Sequence, residues 1–171
     1  MTSRLKIILF CVLSIAFIGC DRATKDIAKE HLQGKEDRSY FHDTFRLMYT
    51  ENTGAALGLG DSLPQPANFI LLGILPLGFL LLLFGYAVKK APKMSFMKMF
   101  SIALIFSGGI GNIIDRLLFD RHVTDFMNLG INNFRTGIFN VADVCITAGA
   151  IGLLLFFRDK EMKPAAVKSE N

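Results

Sequence analysis

From Asn68 to Val88 the chain runs twenty-one residues without a charged side chain. A bilayer's hydrocarbon core is about 30 Å thick and takes about 20 mostly apolar helical residues to cross. Inside it the backbone has no water to bond, so such a segment closes its own hydrogen bonds as a helix. Three more segments have this length and character, from about Leu5 to Ala23, Met99 to Leu118 and Phe139 to Phe157. A content of 51% hydrophobic and 20% charged residues, with mean hydropathy +0.41, is that of an integral membrane protein. Its 171 residues predict a single membrane domain, 1–171.

The basic residues set the expected direction of the spans. Arg4 and Lys6, then Lys89, Lys90, Lys93 and Lys98, then Arg158, Lys160, Lys163 and Lys168 fall on one side, which the positive-inside rule makes cytoplasmic. The first segment on the other side mixes its cations with eight acids between Asp21 and Asp61. Both termini are therefore expected in the cytoplasm, with outer segments 24–67 and 119–138 and a cytoplasmic tail 158–171. The net charge of +4 and pI near 9.1 do not indicate nucleic acid, because the cations flank apolar runs and form no stripe. Arg4, Lys6, an apolar stretch and Gly19-Cys20 also fit a cleavable secretory signal. Bulky Phe17 and Ile18, and helical character continuing to Ala28, favour a retained helix.

Phe45, Leu47 and Tyr49 alternate with other residues, which predicts a strand over Phe41–Tyr49. Asn52-Thr53-Gly54 reads as a turn leading into Ala55-Ala56-Leu57-Gly58-Leu59-Gly60. Phe134, Gly137, Ile138 and Phe139 predict a second short strand or a loop on the membrane. The expected fold is an all-α membrane protein of four transmembrane helices carrying small outer β elements.

Cys11, Cys20 and Cys145 form no CxxC pair, and His31, His42 and His122 are scattered, so neither a disulfide framework nor a metal site is predicted. The chemistry points to carboxylates. Uncharged runs of 14, 16 and 14 residues, Ile7–Cys20, Met99–Ile114 and Val144–Phe157, separate the cytoplasmic edge from Asp21, Asp115 and Asp143. They rise about 21–24 Å, which puts the three acids about 6–9 Å inside the outer boundary. Acids at that depth face a bundle interior and mark a site. Asn112, Asp115 and Arg116 share a helix face by spacing. Gly108-Gly109-Ile110-Gly111 allows close helix packing. Asn140 is a candidate N-cap that puts Asp143 in the first turn. Asp21 and Lys25 are i, i+4 partners, and Asp125 lies in an outer loop between apolar neighbours. Two close acids sharing one proton in a dry site can activate water and polarise a carbonyl, which is aspartic peptidase chemistry without a cofactor.

At these residues the sequence resembles the lipoprotein signal peptidase (signal peptidase II) family. The matching blocks are Asp21-Arg22-Ala23-Thr24-Lys25, Asn52-Thr53-Gly54-Ala55-Ala56, Gly108 through Arg116 with Val123-Thr124-Asp125-Phe126, and Phe139-Asn140-Val141-Ala142-Asp143. The resemblance implies cleavage of a prolipoprotein signal peptide before a diacylglyceryl-modified cysteine, and inhibition by globomycin. It implies four helices, a small periplasmic β-cradle, a short mobile periplasmic helix and residence in the bacterial inner membrane. It assigns Asp125 and Asp143 to the catalytic dyad, with Asn52, Gly54, Asn112, Asp115, Arg116, Asn140, Asp21 and Lys25 around them. Arg22 stands where Gln is common and Thr124 where Val is usual. Leu117–His122 is about one residue longer than typical, which keeps Asp115 as a rival to Asp125 in the dyad.

Each residue also has a plainer reading. Asp143 can be a helix-cap acid, Asp125 a loop acid, Asn52 a turn residue, Asp115–Arg116 an ion pair, Asp21–Lys25 architecture, and Asn112 and Asn140 bundle glue. The runner-up function is a small proton- or cation-coupled transporter whose acids relay charge. A purely structural subunit is a third reading. The expected partners are a lipid-modified prolipoprotein and membrane lipids, and a monomer is expected.

Overall fold

A long helix opens the fold and carries it from one side of the membrane to the other. The structure, a computed structural model, describes residues 2–55, 59–60 and 62–156. Helix α1 runs from Ser3 to Leu32 without a break at Gly19-Cys20, capped by the Thr2 hydroxyl, which accepts from Leu5 N–H at 3.4 Å. Strands β1 (Arg38–Tyr40) and β2 (Phe45–Asn52) follow. The second span is built from α2 (Gln65–Phe69), a π-helical turn (Ile70–Ile74) and α3 (Leu75–Lys90). Then come α4 (Phe96–Leu118), strands β3 (Val123–Ile131) and β4 (Phe134–Arg135), and α5 (Val141–Leu155).

The first three spans are long and apolar enough to cross a bilayer. The fourth, α5, is a shorter apolar helix of 15 residues. Its predicted last residue Phe157 and the tail 158–171 lie outside the described residues, as do Ala56, Leu57, Gly58 and Asp61. Five-residue α2 continues directly into the second span, and the stretch ahead of it includes residues outside those described.

Close packing of α4 against α5 rests on missing side chains. A Cβ on Gly108 would sit 2.3 Å from the Ala142 carbonyl oxygen, and one on Gly149 2.5 Å from the Ser101 carbonyl oxygen. Backbone stands on both sides of these contacts, so neither helix can yield locally. Gly149→Ala is expected to destabilise the protein by about 1–3 kcal/mol, read as a lower melting temperature in detergent. A melting temperature equal to wild type would contradict this packing.

Lys6, expected on the cytoplasmic side, has a structural contact as well. Its side chain is buried, and its ammonium donates to the carbonyls of Ala91 (3.2 Å) and Met94 (2.6 Å). It thereby satisfies the carbonyl of Ala91, the C-cap of α3, where the helix dipole favours a cation, and that of Met94 in the link before α4.

The strands form one antiparallel sheet in the order β1-β2-β3-β4. The predicted strand Phe41–Tyr49 is shifted. Phe41, His42 and Asp43 have φ of 52°, 52° and 66°, a left-handed turn that ends β1, and β2 starts only at Phe45. The second outer strand is reduced to Phe134–Arg135 and a single bridge from Phe139 to Met127. Asp125 is not in a loop but inside β3, the longest strand. The C-terminal end of α1 supports this sheet, with Ala28 and Leu32 packing on Phe126.

Candidate active site

The start of α5 positions the first acid. Asn140 is its N-cap: its Oδ1 accepts from Asp143 N–H at 3.0 Å, while Asp143 Oδ2 accepts from Asn140 N–H at 3.1 Å. This reciprocal capping box satisfies two N–H groups and pins the carboxyl at the positive end of the helix dipole. The free oxygen, Asp143 Oδ1, accepts from Asn112 Nδ2 at 2.9 Å.

The same Asn140 reaches the second acid. Its Nδ2 donates to Asp125 Oδ1 at 2.6 Å and lies 3.3 Å from the Thr124 carbonyl oxygen and 3.2 Å from Asn112 Oδ1. Asp125 Oδ2 accepts from Asn52 Nδ2 at 3.1 Å. That contact depends on a β-bulge. Leu47 pairs with Met127, but Thr50 pairs with Asp125, so β2 holds one extra residue between these pairs. In regular register Tyr49 and Glu51 would share the face of Asp125; the bulge moves Thr50 and Asn52 there instead. Burial lifts the Asp125 carboxyl to about 6, with the nearby Asp143 charge acting in the same direction against the hydrogen bond from Asn52.

Asp115 is turned away from this pair. Its two oxygens meet Arg22 Nη1 at 2.7 Å and Lys25 Nζ at 2.9 Å. Lys25 also pairs with Asp21 at 2.7 Å, and the other Asp21 oxygen accepts the Ala142 N–H of α5 at 2.8 Å. The sequence neighbours Asp115 and Arg116, expected on one face, therefore diverge. Arg116 donates to the carbonyls of Gly54 (2.8 Å) and Asn112 (3.3 Å), tying the Asn52-Thr53-Gly54 turn to α4. A single helical step of about 100° is enough to send the two side chains to different neighbours. Between α4 and β3, Asp120 and Arg121 adopt φ of 47° and 69°, a tight left-handed turn.

Asp125, Asp143, Asn52, Asn112 and Arg116 line one cavity of about 770 Å³, whereas Asp21, Lys25 and Asp115 stand behind it. The cavity continues away from the acids between Leu72 and Pro76 of the second span and Ile146, Thr147 and Ile151 of α5, over Gly109 and Ile113 of α4. Sequence reasoning missed Leu72 and Pro76, whose only signal is a proline following an apolar run. It also missed the Arg22–Asp115 pair, since nothing local relates residues on separate helices. Two acids held by one buried asparagine, Asn140, through its side-chain amide and its backbone N–H, at the wall of a long apolar groove, can hold a water against an amide carbonyl.

A family model described as Signal peptidase (SPase) II matches residues 13–158. A lipoprotein signal peptidase of Chlorobaculum parvum is 37% identical over 91% of this chain and 98% of its own length. That of Borrelia duttonii is 35% identical over 74% of this chain and 77% of its own. A solved bacterial membrane enzyme, determined in meso at 1.9 Å resolution, superposes with a TM-score of 0.73 at 25% identity, covering 88% of this chain and 93% of that one.

Proposed function

From the premise that this chain belongs to the signal peptidase II family, we propose that it removes signal peptides from prolipoproteins by an aspartic mechanism with Asp125 and Asp143 as the dyad. The observation that carries the reading is Asn140, whose side-chain amide donates to the Asp125 carboxyl and whose backbone N–H donates to the Asp143 carboxyl, where both acids line the groove. Asp143, facing the N–H groups at the start of α5, is the ionised member and takes a proton from water as the oxygen attacks the peptide carbonyl. Asp125 gives its proton to the carbonyl oxygen. The tetrahedral intermediate then collapses: Asp143 passes its proton to the departing amine, Asp125 recovers one from the diol, and the C–N bond breaks. The products are the signal peptide's carboxylic acid and a cysteine with a free amine. No cofactor enters this sequence.

The signal helix lies in the apolar groove between the second span and α5. Ile151 is about 12 Å from Asp143 along the helix axis, so the groove accommodates about two turns of an apolar helix below the scissile bond. Asn52 and Arg116 face the substrate backbone, and Gly54 holds Arg116 in place. Asn112 and Asn140 orient the dyad, with Asp21, Lys25 and Asp115 behind them. The diacylglyceryl group stays among membrane lipids and anchors the new N-terminus. We place the enzyme in the inner membrane as one monomeric domain, 1–171, with cytoplasmic termini and the dyad near the outer face. The transporter reading has no observation in its favour.

Purified protein in detergent should cleave a prolipoprotein carrying diacylglyceryl on its cysteine, leave the unmodified precursor intact, and be blocked by globomycin. Equal cleavage of both precursors, or of neither, would reject the assignment.

A further inference from the structure

Lys25 is fully buried, and its ammonium has three protons for three acceptors: Asp21 Oδ2 at 2.7 Å, Asp115 Oδ2 at 2.9 Å and Asn112 Oδ1 at 3.0 Å. Neutralising the two buried acids accounts for only two of them, and Arg22 already shares Asp115. The third proton goes to an amide that touches the active site. An asparagine amide has distinct ends, Oδ1 accepting and Nδ2 donating. Turned by half a rotation, the Asn112 amide would present N–H groups to the ammonium and to Asn140 Nδ2, and its oxygen to the Asp143 carboxylate. All three contacts would be repulsive. Asn140 alone holds the orientation weakly, since its Nδ2 divides two protons among Asp125 Oδ1, Asn112 Oδ1 and the Thr124 carbonyl, with Asp125 the nearest at 2.6 Å.

We propose that Lys25 is a positioning residue for the reaction: it locks the Asn112 amide so that Nδ2 can only donate to Asp143. The proposal rests on the reading of Asp143 as the water-activating carboxylate. Behind the site, one buried cation thus couples α1 to the orientation of an acid on α5 through an amide on α4.

Lys25→Met alone strands two buried acids with one remaining cation and can prevent folding. The test therefore uses Lys25→Met with Asp21→Asn, which removes one charge of each sign. Asn at position 21 still offers an oxygen to Ala142 N–H, and the Arg22–Asp115 pair remains. Measured against Asp21→Asn on a lipidated precursor, the double variant should match its melting temperature. It should lose about 10- to 100-fold in kcat, the value of one hydrogen bond to a charged group, with KM within about twofold. In an Asn112→Ala background, adding Lys25→Met to Asp21→Asn should cost less than about threefold. In an Asn52→Ala background the full loss should return.

Recovery of kcat to the Asp21→Asn level would make Lys25 only a charge balance and overturn the proposal. So would an undiminished loss in the Asn112→Ala background. Either result leaves the dyad standing, whereas unimpaired turnover by Asp143→Asn would remove the dyad and with it the premise.

Discussion

Asp143→Asn folds in detergent and loses about three to four orders of magnitude in turnover of a lipidated precursor, the cost of deleting a base that works as part of a unit. Folding survives because asparagine is itself a competent capping-box partner. Its amide oxygen can accept either from Asn140 N–H or from Asn112 Nδ2, which Asp143 now accepts on separate oxygens at 3.1 and 2.9 Å. Loss of one of these bonds costs about 1 kcal/mol, far less than would unfold the bundle. Chemistry fails for a different reason, since an amide has no lone pair basic enough to take a proton from water. Asp115→Asn provides the contrast. Its carboxylate serves Arg22 and Lys25 behind the cavity, so its loss should appear first as a lower melting temperature and only secondarily as slower turnover. The sequence leaves Asp115 as a rival member of the dyad, and this pair of measurements separates the two acids. Turnover by Asp143→Asn within tenfold of wild type would remove Asp143 from the mechanism.

The spans were legible because the bilayer imposes one length on every helix that crosses it, and charge marks the ends. Position along the helix singles out Asp21, Asp115 and Asp143 for the same reason. It could not tell which acids face the groove, because rotation of a helix about its axis leaves depth unchanged. Asp115 faces away from the groove, held there by Arg22, a residue 93 positions away in the sequence. The sheet was less readable. Left-handed turn residues at Phe41, His42 and Asp43 include an aromatic that local preference would not place there, so the strand begins at Phe45 and not at Phe41. The bulge that brings Asn52 to Asp125 has no signature of its own in the sequence. It arises from pairing with β3, a strand that reads locally as a loop because its residues Val123 to Phe126 are buried on both faces and lose the alternation of a half-exposed strand. The block resemblance reached Asp125 where periodicity did not.

The pH profile tests Asp125 independently of any substitution. Its carboxyl is lifted to about 6, first by burial, and in the mechanism it must enter the reaction protonated. The competent fraction of free enzyme therefore falls about tenfold for each pH unit above 6, and kcat/KM should show an alkaline limb of unit slope starting there. A signal helix filling the groove displaces water from around the carboxyl and strengthens the burial effect, so the limb in kcat should start at higher pH than the limb in kcat/KM. Stability carries the same sign. The folded value of about 6 stands above the ordinary 3.8, so the folded protein holds the proton more tightly than the unfolded chain. This contribution is complete below pH 3.8 and is lost as pH rises through about 6, amounting to about 3 kcal/mol between the two limits. Asp125→Asn cannot ionise and escapes that loss. Wild type should accordingly lose about 2 kcal/mol of stability relative to Asp125→Asn between pH 4 and pH 8, since part of the full loss has already occurred at pH 4, measured by chemical unfolding in detergent at each pH. A limb in kcat/KM below pH 5, together with a stability difference that does not change with pH, would mean that Asp125 is ionised throughout and cannot be the proton donor to the scissile carbonyl.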